Sequence, residues 1–269
     1  MAKNSSVNGL HVHHFPGSEH GIVVFPGLGI SSQHAFYQQL GDLDHSVYVV
    51  ELRGHGKSEG EWSLDHHRQD IAHVLREFKG KHNHLFTVAS GLSASLLLEH
   101  EHMAHEQNPK GQPLPDGMVL LHPTMEGATL LPKDSLTTDV LRAMPLLNQT
   151  FLRGMLEKMN KAKGHVDRPK NWGKAHYGFC RVPKHYVKMF WEQLASYTMP
   201  KVRVQTPTTI FLPRGTSDHL TRIYGNTRMK QVSWMVDDPS KAEHAHAVQE
   251  VTNALQEIMK EEVPIRFKH

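Results

Sequence analysis

Short apolar runs alternate with longer segments of helical period through the first half of the chain. Gly21–Phe25 (GIVVF) is continuously apolar and short, which predicts a strand buried on both faces. A Pro/Gly loop, Pro26–Gly29, leads into a helix expected near His34–Leu40. Ser46–Leu52 (SVYVVEL) is β-branched and apolar and predicts a second strand, closed by a turn at Arg53–Gly60. Ser63–Lys79 places Ile71, Val74, Leu75 and Phe78 at i, i+3, i+4 and i+7, the stripe of a half-buried helix. Leu85–Ser90 predicts a third strand that runs abruptly into a helix extending through Leu96–His105, and Met118–Leu121 a fourth strand. Strands alternating with helices imply an α/β class with a parallel sheet and right-handed crossovers. In such sheets ligands bind beyond the carboxyl ends of the strands.

From Pro123 to about Met199 this rhythm breaks. The segment is rich in Met and Lys, with helices expected at Thr138–Lys161 and Pro183–Tyr197 and a joint at Gly164–Gly178. It reads as an inserted helical cap. Strands then return at Thr208–Leu212 and Gln231–Val236, and a closing helix is expected at Ala245–Glu261. The expected division is a core in two parts, 1–123 and 201–269, with the cap at 124–200.

Composition narrows the function classes. Only 38% of the 269 residues are hydrophobic, and no apolar run approaches the length of about 20 residues that a membrane span needs. Met1–Gly9 is polar, so no secretory signal is expected. The single cysteine, Cys180, rules out an intrachain disulfide and fits a cytoplasmic setting. The formal charge of +3 is spread over scattered Lys and Arg, which points to solubility rather than a nucleic-acid footprint. Twenty-three histidines make net charge sensitive to pH near neutrality. His100, His102 and His105 crowd one helix, but only the last two share a face and no H-E-x-x-H run occurs, so a solvated face is expected and no metal.

Five segments, in order, resemble the α/β-hydrolase superfamily. Gly21–Gly29 (GIVVFPGLG) looks like the strand and oxyanion loop, with Pro26-Gly27 where the family commonly has His-Gly. Arg53–Ser58 (RGHGKS) looks like the family's R-G-H-G-x-S turn, and Ser90–Ser95 falls at the nucleophile elbow. Phe211–Asp218 (FLPRGTSD) looks like the strand and loop ending on the acid, and His244 falls where the family's histidine precedes the last helix. The order nucleophile, acid, histidine is the family's own.

Two registers fit the elbow. In one, Gly91-Leu92-Ser93-Ala94-Ser95 is a G-x-S-x-S variant: Ser93 is the nucleophile and the Ala94 N–H an oxyanion donor. Leu96 disfavours it, being bulky where the family prefers Gly or Ala. In the other, Phe86, Val88 and Ala89 supply the strand, Ser93 and Ala94 the small residues after the apex, and Gly91 takes the nucleophile position. That register resembles the elbow of bacterial myristoyl-acyl-carrier thioesterases with the serine lost. It is disfavoured because most members of the fold with an intact acid and base are enzymes. Ser90 is a minor candidate.

The resemblance further implies the Leu28 N–H as second oxyanion donor, Asp218 as the group orienting the base, and His244, ahead of His246, as the base. Asp218 could equally cap a helix. The expected activity is a serine hydrolase acting on an ester or thioester through an acyl-enzyme. Its substrate would carry a medium apolar acyl part, received by cap residues such as Met144, Phe151, Met155 and Trp191. No cofactor and no nucleic-acid partner is expected, and oligomeric state is left open. The alternative is a non-catalytic protein of the same fold, with Gly91 at the apex, that binds a small molecule or a partner.

Overall fold

The computed structural model describes residues 3–17, 20–28, 30, 32–107, 111–126, 192–213, 221–234 and 241–262, with backbone alone at 241–244 and 262. The strands are β1 (Lys3–Val7), β2 (Leu10–Phe15), β3 (Gly21–Phe25), β4 (Ser46–Val50), β5 (Leu85–Ser90), β6 (Gly117–Leu121), β7 (Val202–Pro213) and β8 (Ile223–Val232). Four long or short helices accompany them among the described residues: α1 (Ala35–Leu40), α2 (Leu64–Lys79), α3 (Gly91–Gln107) and α4 (Lys241–Glu262). The strands form one sheet in the order β1-β2-β4-β3-β5-β6-β7-β8. β1, β2 and β4 pair antiparallel, and from β4 to β8 every pair is parallel.

Side-chain alternation splits the core in two. Val23, Phe25, Val50, Leu85 and Ala89 face α2 and α3, together with Ile71, Val74, Leu75 and Phe78. Ile22, Val24, Val47, Val49, Phe86 and Val88 face α1 and α4. Strands β3 to β6 are buried on both faces, which is why they read as unbroken apolar runs. Ser63 caps α2 by accepting the His66 N–H. On α3, Glu101 Oε1 accepts the N–H groups of Gln205 and Thr206 (2.8 and 2.9 Å), where the β7 register shifts between Val204 and Thr208. A bulge leaves such donors without a ladder partner, and the buried carboxylate supplies one.

Four boundaries depart from the sequence reading, one of them β7, which begins at Val202 rather than Thr208. An N-terminal hairpin, β1–β2, precedes the first strand expected. Its turn is Asn8-Gly9, both at positive φ (51° and 79°), as a two-residue hairpin turn requires. The last strand occupies Ile223–Val232 rather than Gln231–Val236. It is the sheet's edge, mostly exposed, so it carries no apolar run to find. The closing helix begins at Lys241 rather than Ala245, which puts His244 inside its first turn instead of before it.

The expected cap lies for the most part outside the described residues. Its two ends are described and meet: Met199 N–H donates to the Met125 carbonyl (2.9 Å), and Glu126 bridges Thr198 antiparallel. The chain therefore leaves the sheet after β6 and re-enters it beside the same strand, at β7. Among the described residues, no helix is long and apolar enough to cross a membrane.

Candidate functional site

β5 ends at Ser90 and α3 begins at Gly91, with no residue between them. Gly91 makes the turn at φ +55°, a conformation that costs a side-chain-bearing residue about 1 kcal/mol or more and glycine almost nothing. A Cβ at Gly91 would lie 3.7 Å from Gly27 Cα and 3.9 Å from Thr124 Oγ1, which is ordinary contact. Space for a side chain is thus present between the loop after β3 and the loop after β6. Both loops are tied to α3. Thr124 N–H donates to the Gly91 carbonyl (3.3 Å), and Ser95 Oγ–H donates to the Thr124 carbonyl (2.7 Å).

Ser93 lies two residues further, inside α3, and is fully buried. Its hydroxyl donates to the Pro26 carbonyl at 2.5 Å. Its oxygen stands 3.1 Å from His67 Nε2. The His67 Nδ1 accepts the Trp62 indole N–H (3.2 Å), so the ring's proton is on Nε2 and points at Ser93. The hydrogen bonds run one way, Trp62 to His67 to Ser93 to Pro26, and none of these polar atoms is left over. Burial, then the charges of His55 and Arg68, push the His67 pKa down to about 3. A neutral imidazole whose free lone pair is already used cannot take a proton from Ser93.

Ser90 is engaged too. Its hydroxyl is 2.6 Å from the Tyr37 phenol, which also accepts the Gly27 N–H at 3.3 Å. Leu28 is half-buried in the loop after β3, and Ala94 is fully buried in the first turn of α3. Asp218 lies outside the described residues, and for His244 only the backbone is described. His246 is exposed (65%), with its Nε2 3.7 Å from Glu250. The structure therefore brings Ser93 together with Pro26 and His67.

Other histidines take definite places. On α3, His102 Nδ1 accepts the Arg203 N–H (3.4 Å) and His100 Nε2 lies 3.2 Å from the Pro113 carbonyl, so both lean on neighbouring chain. His122, directly after β6, has φ +50° and a buried Nε2 with no partner, and burial lowers its pKa to about 4. One cluster was absent from the sequence reading: His11, His13 and Glu51. Its signal was available, since L-H-V-H-H-F alternates and would set His11 and His13 on one face of a strand. Burial alone would raise the Glu51 carboxyl. Hydrogen bonds from His13, the Lys57 N–H and Ser32 outweigh it and bring the pKa down to about 2.

No family model and no curated protein matches the sequence. Solved structures do match its fold. MenH from S. aureus superposes with a TM-score of 0.64 at 13% identity, over 96% of this chain and 98% of that one. An epoxide hydrolase from Bacillus megaterium gives 0.59 at 12% identity, over 96% and 99%. The alpha/beta hydrolase domain-containing protein 10 from mouse gives 0.56 at 14% identity, also over 96% and 99%. Each of these matches extends over nearly the whole of both chains. The chain has the α/β-hydrolase fold.

Proposed function

We propose that this protein binds a small acyl ester or thioester without forming an acyl-enzyme, because glycine occupies the nucleophile position of its elbow. The observation that carries the reading is the positive φ of Gly91, immediately after β5. In this fold the apex residue holds the strained conformation that lifts its side chain above the sheet. Ser93 lacks both properties: it lies within α3, and its hydroxyl is committed to Pro26.

With Gly91 at the apex, the donors for a ligand carbonyl become the N–H groups of Leu28 and Leu92. The first N–H groups of a helix have no intrahelical acceptor, so α3 offers Leu92 without cost. Asp218 and His244, assigned by the chain order that the family resemblance implies, would meet the polar end of the ligand. The segment 124–200 is proposed as the cap that selects the acyl part. The rival, a serine hydrolase using Ser93, Asp218 and His244 with Leu28 and Ala94 as donors, requires Ser93 to abandon Pro26 and reach solvent from a fully buried position.

A fluorophosphonate probe with mass-spectrometric mapping separates the two. The wild-type protein should show no labelled serine. Gly91→Ser should label at the introduced serine, since a Cβ there has room, and adding His244→Ala should remove that label. Wild-type labelling at Ser93, abolished by Ser93→Ala, would overturn the proposal and establish the hydrolase.

A further inference from the structure

We propose that His11, His13 and Glu51 form a binding site for one divalent transition ion of the zinc type. The site is independent of the elbow reading. It sits where β2 meets the end of β4, on the α1 and α4 side of the sheet.

Strand geometry assembles it. His11 and His13 are two apart on β2 and share a face. Val12 pairs with Val50, and Glu51 N–H donates to the His11 carbonyl at 2.8 Å, so Glu51 stands across from His11. One ring nitrogen from each histidine and one Glu51 oxygen all lie within 4.8 Å of one another. The two rings meet edge to face, 4.7 Å between centroids. His13 and Glu51 are buried, and their Nε2 and Oε1 are 3.0 Å apart.

The third residue distinguishes this corner from an ordinary buried ion pair. His11 Nε2 is buried and has no hydrogen-bond partner. An unpaired buried ring nitrogen costs stability unless something fills its valence.

The carboxylate is held ready. Ser32 Oγ–H donates to Glu51 Oε1 (2.8 Å) and Lys57 N–H to Oε2 (2.6 Å). Such outer contacts orient metal ligands and fix their basicity. Gly56 lets the turn close this tightly: a Cβ there would lie 2.3 Å from Glu51 Oε2. Lys57 opposes a cation, since its charge is felt at His11, but the ionised Glu51 acts on the same ring with the opposite sign and more strongly.

Two imidazoles and a carboxylate are a ligand set for zinc, with bonds near 2.0–2.2 Å. Around a tetrahedral ion such donors stand about 3.3 Å apart, so the His13–Glu51 pair would open slightly from 3.0 Å and His11 would adjust from its place within 4.8 Å of both. The ion would take the place of the proton between His13 Nε2 and Glu51 Oε1. That proton would move to Nδ1 of the same ring or, from a doubly protonated ring, leave to solvent, and water would fill the fourth position. An ion here would join β2, the end of β4 and, through Ser32, the loop after β3.

The test uses the full chain without a histidine tag, stripped with a chelator and titrated with Co²⁺ and then Zn²⁺. One equivalent should bind tightly, give the visible bands of a four- or five-coordinate Co²⁺ site, and be displaced by Zn²⁺. The 23 histidines supply weak background binding, so variants decide the outcome. His11→Asn should weaken the tight equivalent at least tenfold, while His66→Asn, on the exposed face of α2, should leave it unchanged. Ser32→Ala should weaken it by about tenfold, the low end for loss of an orienting partner. His11→Asn leaves the metal-free fold intact, because the nitrogen it replaces has no partner, and circular dichroism checks this. Equal affinity and stoichiometry in wild type and His11→Asn would overturn the proposal, as would the absence of any tight equivalent in the folded wild type.

Discussion

Two buried histidine clusters sit on opposite faces of one sheet and differ in whether their valences are used up. In the first, Trp62, His67, Ser93 and Pro26 form a chain in which each donor meets one acceptor. In the second, His13, Glu51, Ser32 and the Lys57 N–H are joined, but His11 Nε2 is left over. A closed chain fixes protonation states and holds two elements at a set distance, here α3 against the loop after β3. An open one leaves a lone pair that a ligand can occupy. The serine that the elbow motif selects, Ser93, belongs to the closed kind, buried with its hydroxyl donated to Pro26.

Acid should have the largest effect, through His67 in the closed cluster and through the separately buried His122. Burial holds His67 down to about 3 and His122 to about 4, against an ordinary value of 6.5. Between those values the unfolded chain binds protons that the folded chain refuses. The stability tied to each ring is therefore complete above about pH 6.5 and is lost as pH falls toward its folded value, by about 1.4 kcal/mol per pH unit and per ring. Urea unfolding at pH 7 and at pH 5 measures the slope. His67→Gln should remove one proton's share of it. An unchanged slope in that variant would mean that the ring is charged or wet in the native protein.

Ser93→Ala should come next, at about 2 kcal/mol of lost stability, because it strands the Pro26 carbonyl and the His67 Nε2–H in a dry core. Thermal or urea denaturation at neutral pH reads it directly. A neutral result would show that the hydroxyl is not committed where the closed chain puts it, and would restore Ser93 as a free nucleophile.

The sheet's centre was legible because burial on both faces leaves an unambiguous pattern. Gly21–Phe25 and Leu85–Ser90 match β3 and β5 residue for residue. The edges were not. Lys3–Val7 and Ile223–Val232 are exposed and polar, and an edge strand is recognised by its pairing, which a single sequence does not display. The Asn8-Gly9 dipeptide is a hairpin-turn signal that the sequence reading passed over. At the elbow, small residues on both sides of Leu92 made two registers equivalent as text. What the text does not display is a backbone torsion, the positive φ of Gly91 on which the proposed register rests. The His11–His13–Glu51 corner needed a cross-strand pairing, so its third member could not be joined to the other two by spacing alone.

The smallest effect is also the most diagnostic of the open cluster. His11→Asn removes a ring nitrogen that bonds to nothing in the metal-free protein, so its stability without metal should move by no more than about 0.5 kcal/mol. Added Zn²⁺ should then raise the melting temperature of the wild type and leave the variant where it was, since an ion stabilises only the state that binds it. Had the His11 ring been held as firmly as His67, the substitution would cost stability with or without metal, in the manner of Ser93→Ala. A loss of that size in the metal-free protein would place both clusters in the closed class. A near-silent substitution that abolishes the zinc response would set them apart, because only an unfilled valence can be removed at no cost and still be missed by a ligand.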